Sequence, residues 1–296
     1  MKRIRPFRYF EVRTVAEAVG VLAKEGDGAY PLAGGTDLLV RMKLGNLAPG
    51  ALVNLKRIEG LDRIEREFGG GIRIGPLVSI SAIEHSPLVF ASHRALAEAA
   101  GVLGSPSIRN LGTLGGNIGR ASPASDMAPS LIVLRARVRA EGPRGEREVE
   151  IGEFFKGPGA TVLLSGEMIT SFLLPGMAPG SGASYERLGR REGMDCALVG
   201  AAAFMALSEK DGGVKDARVA LASVAPVPLR AMKAEEVLLS GSLTEERMRE
   251  AARAAASDCF PISDMRASGS YRTEMVRVLT YRALARAFRL AEGRRS

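Results

Sequence analysis

The chain has 296 residues and a formal net charge of +8, with 46% hydrophobic and 25% charged residues. This composition excludes a disordered chain, and the length indicates two or three domains. Its 35 glycines follow no three-residue period, which excludes collagen. Its two cysteines are too few for a disulfide scaffold, a four-thiolate iron–sulfur cluster or a zinc ribbon within the chain, and its two histidines leave little for a histidine-based metal site or a catalytic triad.

The excess of positive charge is spread along the chain. Its 41 Lys and Arg residues are interleaved with 33 acids, so a solvated surface of mixed charge is favoured over a nucleic-acid site. Aromatic residues make up 5% and tryptophan is absent, which disfavours stacking on single-stranded nucleic acid. The basic start of the chain lacks the apolar core of a signal peptide, and no apolar run approaches the length of a membrane span. Together with the free cysteines, these features predict a cytoplasmic protein.

The first part of the chain predicts alternating helices and strands. Thr14 and Glu17 form a capping box that starts a helix, and Gly26 is its expected end. A short strand at 29–32 then runs into Ala33-Gly34-Gly35-Thr36-Asp37, and a helix at 38–44 follows. The predicted order is therefore strand, glycine turn, helix. Further strands are predicted at 51–55 and 72–75.

The middle of the chain contains a stretch without periodicity. A second capping box, formed by Ser81 and Glu84, predicts a short helix, and another helix is expected at 93–100. Residues 107–129 have many small side chains and follow neither the helical nor the strand period, which predicts a long binding loop. After it the sequence predicts a buried strand at 131–134, a hairpin at 138–151 that turns at 142–145, and a strand at 168–174.

A segment rich in Gly, Pro and Ser at 175–184 predicts a linker, so two units should meet near residue 177. Beyond it the sequence predicts strands at 197–207 and 219–225 and helices at 234–239, 245–256 and 270–290. On the last helix, the expected packed side carries Tyr271, Met275, Val278, Ala285 and Phe288. Its other side, expected to face solvent or a partner, carries Arg282, Arg286 and Arg289.

Two glycine clusters could bind an anion through the backbone. Consecutive glycines permit positive φ angles and leave backbone N–H groups open to a ligand, which suits a phosphate. The first cluster is at 33–37 and the second is Thr113-Leu114-Gly115-Gly116-Asn117, so a ligand with two phosphates, such as a dinucleotide, would suit the pair. Taken alone, each cluster is more simply interpreted as a tight turn. Neither a P-loop nor a GxGxxG motif is present, so a dinucleotide would bind by another architecture.

These clusters and two further motifs resemble those of one protein family. Ala33-Gly34-Gly35-Thr36-Asp37 is similar to the first FAD pyrophosphate loop in the flavoprotein subunits of molybdenum hydroxylases. That family comprises the medium chains of carbon monoxide dehydrogenase and the FAD subunits of bacterial xanthine dehydrogenase-like enzymes. The stretch from Arg109 to Asn117, with its sequel at 121–126, resembles their second loop. Residues 185–195 and 263–272 resemble the start of their C-terminal domain and the entry to its last helix, so the resemblance spans essentially the whole chain.

The resemblance implies an α+β fold. Residues 1–176 would form an FAD-binding domain of the vanillyl-alcohol-oxidase (PCMH) type, with two subdomains at about 1–56 and 57–176. Residues 177–296 would form a C-terminal domain like that of the carbon monoxide dehydrogenase flavoprotein, in which a three-stranded antiparallel sheet packs against helices.

The resemblance also implies which residues hold FAD. Backbone groups of both loops would cradle the pyrophosphate, with side-chain bonds from Thr36, Thr113 and Asn117, and Asp126 would hold a ribose or ribityl hydroxyl. Some relatives attach flavin through a histidine in the first loop, where Thr36 and Asp37 stand here, so FAD is predicted to be noncovalent. The complete set of expected cofactor contacts is Leu32, Ala33, Gly34, Gly35, Thr36, Asp37, Leu38, Leu103, Arg109, Thr113, Leu114, Gly115, Gly116, Asn117, Asp126, Ile169 and Thr170. No catalytic acid, base or nucleophile and no metal ligand is expected.

In such a family this chain would be an oxidoreductase subunit that transfers electrons through FAD. A large subunit would carry the molybdenum cofactor, a small subunit would carry two-iron clusters, and the complex would be a dimer of heterotrimers. Arg190, Arg191 and Asp195 would tune the flavin or meet the electron acceptor, with a salt-bridged surface as the alternative, and Cys196 is expected to be a buried small residue. Two alternatives remain open. One is a freestanding flavin reductase similar to UDP-N-acetylenolpyruvoylglucosamine reductase, and the other is a basic adaptor that binds nucleic acid.

Overall fold

The computed structural model describes residues 4–191, 193–208 and 213–293. Its first sheet is parallel, with strand order β1-β3-β2, and two helices accompany it. These elements are β1 (Arg8–Glu11), α1 (Val15–Glu25), β2 (Ala29–Leu32), α2 (Leu38–Leu44) and β3 (Ala51–Asn54). Thr14 caps α1 as predicted, because its Oγ1 accepts the Glu17 N–H at 3.1 Å. Glu17 reaches back one residue further than a capping box requires, since its Oε2 accepts the N–H of Arg13 at 2.8 Å.

The second sheet is antiparallel. In the described chain, a series of six helices lies between its second strand and its third strand in chain order. Its elements begin with β4 (Ile64–Arg66), β5 (Ile72–Ile74), α3 (Ile80–Glu84), α4 (Pro87–Ser92), α5 (Arg94–Val102), α6 (Pro106–Leu111), α7 (Leu114–Gly119) and α8 (Met127–Val133). They continue with β6 (Arg137–Gly142), β7 (Gly145–Glu150), β8 (Phe155–Gly157), β9 (Ala160–Thr161) and β10 (Met168–Leu174). Five of these strands form the sheet, in the order β4-β5-β10-β6-β7 across the described part of the chain. The predicted hairpin and its turn at 142–145 are confirmed.

Three predictions for this region are wrong. The stretch at 107–129 is no structureless loop, because Ser105 and Thr113 cap the short helices α6 and α7, and α8 starts at Met127. The run at 131–134 belongs to the end of α8; every residue of that helix is buried, so its apolar run carries no helical period. Ser79, and not Ser81, caps α3, since Ser79 Oγ accepts the Ala82 N–H at 3.1 Å.

The third sheet is antiparallel and has four strands in the described ranges, not the three that were expected. Its strands are β11 (Ser181–Leu188), β12 (Val199–Leu207), β13 (Val214–Ala222) and β14 (Leu229–Arg230), in that order. The helices α9 (Met232–Leu239), α10 (Glu245–Ser257) and α11 (Gly269–Glu292) complete the described chain. The additional strand, β14, has two residues, which is too short to show a period of two. The predicted linker is also too long, because β11 already begins at Ser181.

The last helix uses a different face from the predicted one. The residues expected on its packed side are half-buried or exposed, whereas Val276, Leu279, Ala283 and Ala287 are fully or almost fully buried. A Cβ at Gly182 of β11 would overlap Ala287 O, so the glycine permits close approach of strand and helix.

One hydrophobic core extends from the five-stranded sheet to the four-stranded one. It joins residues of β5, α5 and α8 to Ala183, Tyr185 and Phe204 of the third sheet. A second core lies between the other face of that sheet and α9 to α11. The four-stranded sheet is therefore covered on both faces, and β11 is held against α5 and α8.

Candidate cofactor site

The first glycine loop presents backbone donors that the protein itself does not use. It joins the carboxyl end of β2 to α2, and Gly35 turns the chain with a φ of 76°. Among the described residues, the N–H groups of 34–38 have no hydrogen-bond acceptor. Closely spaced free N–H groups in a turn form a concave site for an anion. The geometry of this loop therefore fits a phosphate group. Leu32 and Leu38, at its two ends, pack in a small apolar cluster with Met42.

The two glycine loops are in direct contact. A Cβ at Gly34 would overlap Leu111 O and would lie 2.8 Å from the Leu111 carbonyl carbon and 3.0 Å from Gly112 Cα. A Cβ at Gly112 would lie 3.5 Å from Thr36 Oγ1. An ion pair of 3.0 Å between Arg120 Nε and Asp37 Oδ2 joins the end of α7 to the first loop. The fold thus brings together two segments that lie more than 70 residues apart in the sequence.

The second loop differs from the first in the use of its donors. The Leu114 N–H donates to Val78 O at 3.0 Å and the Gly115 N–H to Pro76 O at 2.9 Å. The N–H groups of Gly116 and Asn117 donate to Oγ1 and O of Thr113, at 3.1 and 2.9 Å. Of residues 113–117, only Thr113 has an N–H without an acceptor in the described structure. Gly115 serves close packing instead, since a Cβ there would lie 2.5 Å from Pro76 Cβ.

Four residues expected near the cofactor make contacts outside the glycine loops. Arg109 donates from Nε to Glu84 Oε2 at 2.7 Å and from Nη1 to Leu103 O at 3.2 Å, which ties α6 to α3 and to the end of α5. Ile169 approaches α7, because a Cβ at Gly119 would lie 3.7 Å from its Cδ1. The Thr170 hydroxyl donates to Arg139 O at 3.3 Å, at an irregularity in the pairing of β10 with β6.

Asp126 is buried at the start of α8, against the third sheet. Its Oδ1 accepts the Tyr185 hydroxyl at 2.8 Å and Arg187 Nε at 3.1 Å, both from β11. Burial raises the pKa of Asp126 to about 6, and the charge of Arg187 and the hydrogen bond from Tyr185 limit the rise. Burial also raises the pKa of Tyr185 well above its usual value. Ser125 connects this group to the second loop, since its hydroxyl donates to Asn117 Oδ1 at 2.6 Å.

Sequence reasoning did not find that Tyr185 and Arg187 are partners of Asp126. The available signal was their spacing, because two residues separated by one position on a strand face the same side. Nothing local to the sequence, however, indicates that this side meets a carboxylate almost 60 positions earlier.

The loop after β11 is held by hydrogen bonds to a carboxylate. Asp195 Oδ2 accepts the Arg190 N–H at 3.0 Å, and Oδ1 accepts the Cys196 N–H at 2.9 Å. The first of these bonds is the main reason why the pKa of Asp195 lies below its usual value. Arg191 donates to Met194 O at 2.7 Å from Nη2. Cys196 is exposed, which corrects the expectation of a buried residue.

No group of three or more His, Cys, Asp and Glu side chains suited to a metal ion occurs among the described residues. Within the same residues, no helix is both long enough and apolar enough to cross a membrane.

The parallel strand, the glycine turn with free donors and the second turn packed against it define a protein of mixed α and β structure with an edge whose free N–H groups fit a phosphate. The comparisons with known proteins identify this class further. The family profile described as the FAD binding domain in molybdopterin dehydrogenase matches residues 5–177, and the CO dehydrogenase flavoprotein C-terminal domain matches residues 183–287.

Individual relatives agree with these profiles. The chain is 38% identical to the carbon monoxide dehydrogenase medium chain of Hydrogenophaga pseudoflava over 94% of this chain and 96% of that one. It is 29% identical to a putative xanthine dehydrogenase FAD-binding subunit of Escherichia coli, over 97% of both chains. Among solved structures, a chain of carbon monoxide dehydrogenase from Hydrogenophaga pseudoflava superimposes with a TM-score of 0.93 at 38% identity, over 97% of this chain and 99% of that one.

The chain belongs to the family of FAD-binding subunits of molybdenum hydroxylases. It is therefore a component of an oxidoreductase, and FAD is its cofactor.

Proposed function

We propose that this chain is the electron-transfer subunit of a heteromeric molybdenum hydroxylase. It takes electrons from iron–sulfur clusters of a small partner subunit and passes them from FAD to an external acceptor. A large partner subunit holds the molybdenum cofactor at which the substrate is oxidised, and two such heterotrimers pair. Family membership over both parts of the chain supports this role, and its two cysteines are too few to ligate the clusters itself.

The single observation that carries the cofactor assignment is the row of unused N–H groups at residues 34–38. In our proposal these donors hold the pyrophosphate, the side chains of Thr36, Thr113 and Asn117 add hydrogen bonds, and Asp126 accepts a ribose or ribityl hydroxyl. When bound, FAD supplies reversible one- and two-electron redox chemistry, and the protein supplies its position and electrostatic surroundings.

We also propose how the chain is divided. Residues 1–176 form an FAD-binding domain of the vanillyl-alcohol-oxidase type, with subdomains at about 1–56 and 57–176, and residues 177–296 form the C-terminal domain. In support, the three described strands of the first sheet all lie within residues 1–56, and the four described strands of the third sheet all lie within residues 177–296. The glycine loops then meet at the boundary between the two subdomains.

FAD is noncovalent in this proposal, because the first loop carries Thr36 and Asp37 and offers no histidine as an attachment point. Acid precipitation of the yellow protein tests this. The flavin should remain in the supernatant, and flavin that stays with the polypeptide would contradict noncovalent binding.

The function is tested by purification from the native host. We expect a yellow complex with a flavin absorbance band at about 450 nm. The chain should elute together with an iron–sulfur subunit and a molybdenum subunit. A yellow protein that elutes without these partners would support the freestanding flavin reductase instead. A preparation that neither contains nor binds FAD would contradict both.

A further inference from the structure

The carboxylate of Asp126, which precedes α8, is held by two donors from β11 of the third sheet. Asp126 is only 6% exposed, Tyr185 is buried on β11, and the side chain of Arg187 on the same strand is 8% exposed. Both donors bond the same oxygen, Oδ1. No described residue donates a hydrogen bond to Oδ2. Oδ2 has no donor among the described residues and is not fully buried, so it is open to a hydrogen bond from a ligand hydroxyl.

The two donors are themselves fixed. The Tyr185 N–H donates to Glu98 Oε2 of α5 at 3.1 Å, and Arg187 donates from Nη2 to Asp195 O. Gly200 of the neighbouring strand makes room for the tyrosine ring, because a Cβ there would lie 3.2 Å from Tyr185 Cζ and closer still to the hydroxyl oxygen. The donors thus hold Asp126 from a rigid, doubly covered sheet, as a positioning contact requires.

Asp126 is also connected to the glycine loops. The neighbouring Ser125 hydroxyl donates to Asn117 Oδ1 at 2.6 Å and accepts the Ala128 N–H at 3.2 Å. Asp126 is therefore adjacent in the chain to Ser125, whose side chain is bonded to Asn117 of the second loop. The third sheet therefore reaches the candidate cofactor site through Asp126.

We propose that Tyr185 and Arg187 are positioning residues for FAD: they occupy Oδ1 of Asp126 and orient the carboxylate so that Oδ2 accepts a hydroxyl of the cofactor. This inference rests on the proposed function. It makes the C-terminal part of the chain a contributor to FAD affinity even where it does not touch the cofactor.

The proposal predicts a specific pH dependence. The charged and titratable groups that act on Asp126 from the described elements are Arg187 and Tyr185, both on β11. Because burial raises the pKa of Asp126 to about 6, its carboxylate is ionised at neutral pH and becomes protonated as the pH falls through that value. FAD affinity should decline over the same interval. Replacing Arg187 by Gln removes a cation that lowers the pKa, so the decline should begin at a higher pH.

The test is titration of the full-length apoprotein with FAD, followed by flavin fluorescence. The variants are Tyr185→Phe, Arg187→Gln and Arg187→Lys. We expect about tenfold weaker binding for the first two, which corresponds to about 1.4 kcal/mol of binding free energy, because the carboxylate is no longer held in the orientation that the cofactor requires. Arg187→Lys keeps the charge and should restore the pH profile.

Matched controls come from the same part of the chain. Tyr281→Phe removes a tyrosine bond of 3.1 Å to Glu245, and Arg230→Gln removes an ion pair of 2.6 Å with Glu235. Both should leave FAD affinity and its pH profile unchanged. A double-mutant cycle separates positioning from general destabilisation. In an Asp126→Asn background, Tyr185→Phe should have no further effect on affinity.

The outcomes separate the two levels of the proposal. If the wild-type chain binds FAD but Tyr185→Phe and Arg187→Gln bind it equally well with the same pH profile, the positioning role is refuted and the function stands. The positioning role is also refuted if Tyr185→Phe and Asp126→Asn have additive effects on FAD affinity. If the wild-type chain does not bind FAD, the function and the positioning role both fail.

Discussion

Replacing Gly34 by alanine tests the contact between the two glycine loops. The added methyl group would overlap Leu111 O and would lie 2.8 Å from the carbonyl carbon, so backbone and not a flexible side chain must move. Such overpacking costs about 1–3 kcal/mol. The first loop must also shift away from the second, which separates the groups that would hold one pyrophosphate. We therefore expect a lower urea midpoint for the apoprotein and FAD binding weaker by at least about tenfold, or about 1.4 kcal/mol.

The control for this substitution is Gly20→Ala. Gly20 lies inside α1, and a Cβ there would meet nothing within 4 Å. Alanine should stabilise the helix by about 0.5–1 kcal/mol and leave FAD binding unchanged. Urea unfolding and FAD titration of both variants give the comparison. If Gly34→Ala unfolds at the wild-type midpoint and binds FAD as tightly as the wild type, the close approach of the loops is refuted.

Three further predictions concern other parts of the chain. Ser105→Ala removes the oxygen that accepts the Ile108 N–H at the start of α6 and should cost about 1 kcal/mol in urea unfolding, whereas Ser105→Thr should restore most of it. Hydrogen bonds from Arg266 hold the pKa of Asp264 well below its usual range. The stabilising effect of the ionised Asp264 is therefore present at neutral pH and is lost as the pH falls below about 4. The difference in unfolding midpoint between wild type and Asp264→Asn should shrink in acid, and a constant difference would contradict this. Iodoacetamide should modify the exposed Cys196 well before Cys259, whose pKa burial raises to about 12, as peptide mass analysis after a short exposure would show.

Elements with a local signal were predictable from the sequence. The helix α1 has its cap and its stop within the segment itself, and Gly26 adopts a φ of 64° at the end where glycine was expected. The hairpin of β6 and β7 is similarly marked by its turn residues. Predictions failed where burial removes the period, as in α8, or where an element is too short to show a period, as in β14.

Contacts between distant segments could not be derived from the sequence alone. Gly34 is glycine because of Leu111, and Gly115 is glycine because of Pro76, and neither partner is adjacent in the sequence. The buried pairing of Asp126 with Tyr185 has the same character. The resemblance to a family indicated which residues belong to the site, but only the folded chain shows what each of them contacts.

The two glycine loops differ in a way that a count of glycines does not show. In the first loop the missing side chain at Gly34 permits contact with α6, and the N–H groups that follow stay free. In the second loop, the N–H groups of residues 114–117 already donate hydrogen bonds to Val78, Pro76 and Thr113. Backbone donors for an anion are therefore concentrated in the first loop. The second loop supports it by packing and presents the Asn117 side chain, which Ser125 connects to the buried carboxylate of Asp126. We accordingly expect substitutions that move the first loop to weaken phosphate binding, and substitutions at Asp126 and its partners to weaken the binding of a hydroxyl elsewhere on the same ligand.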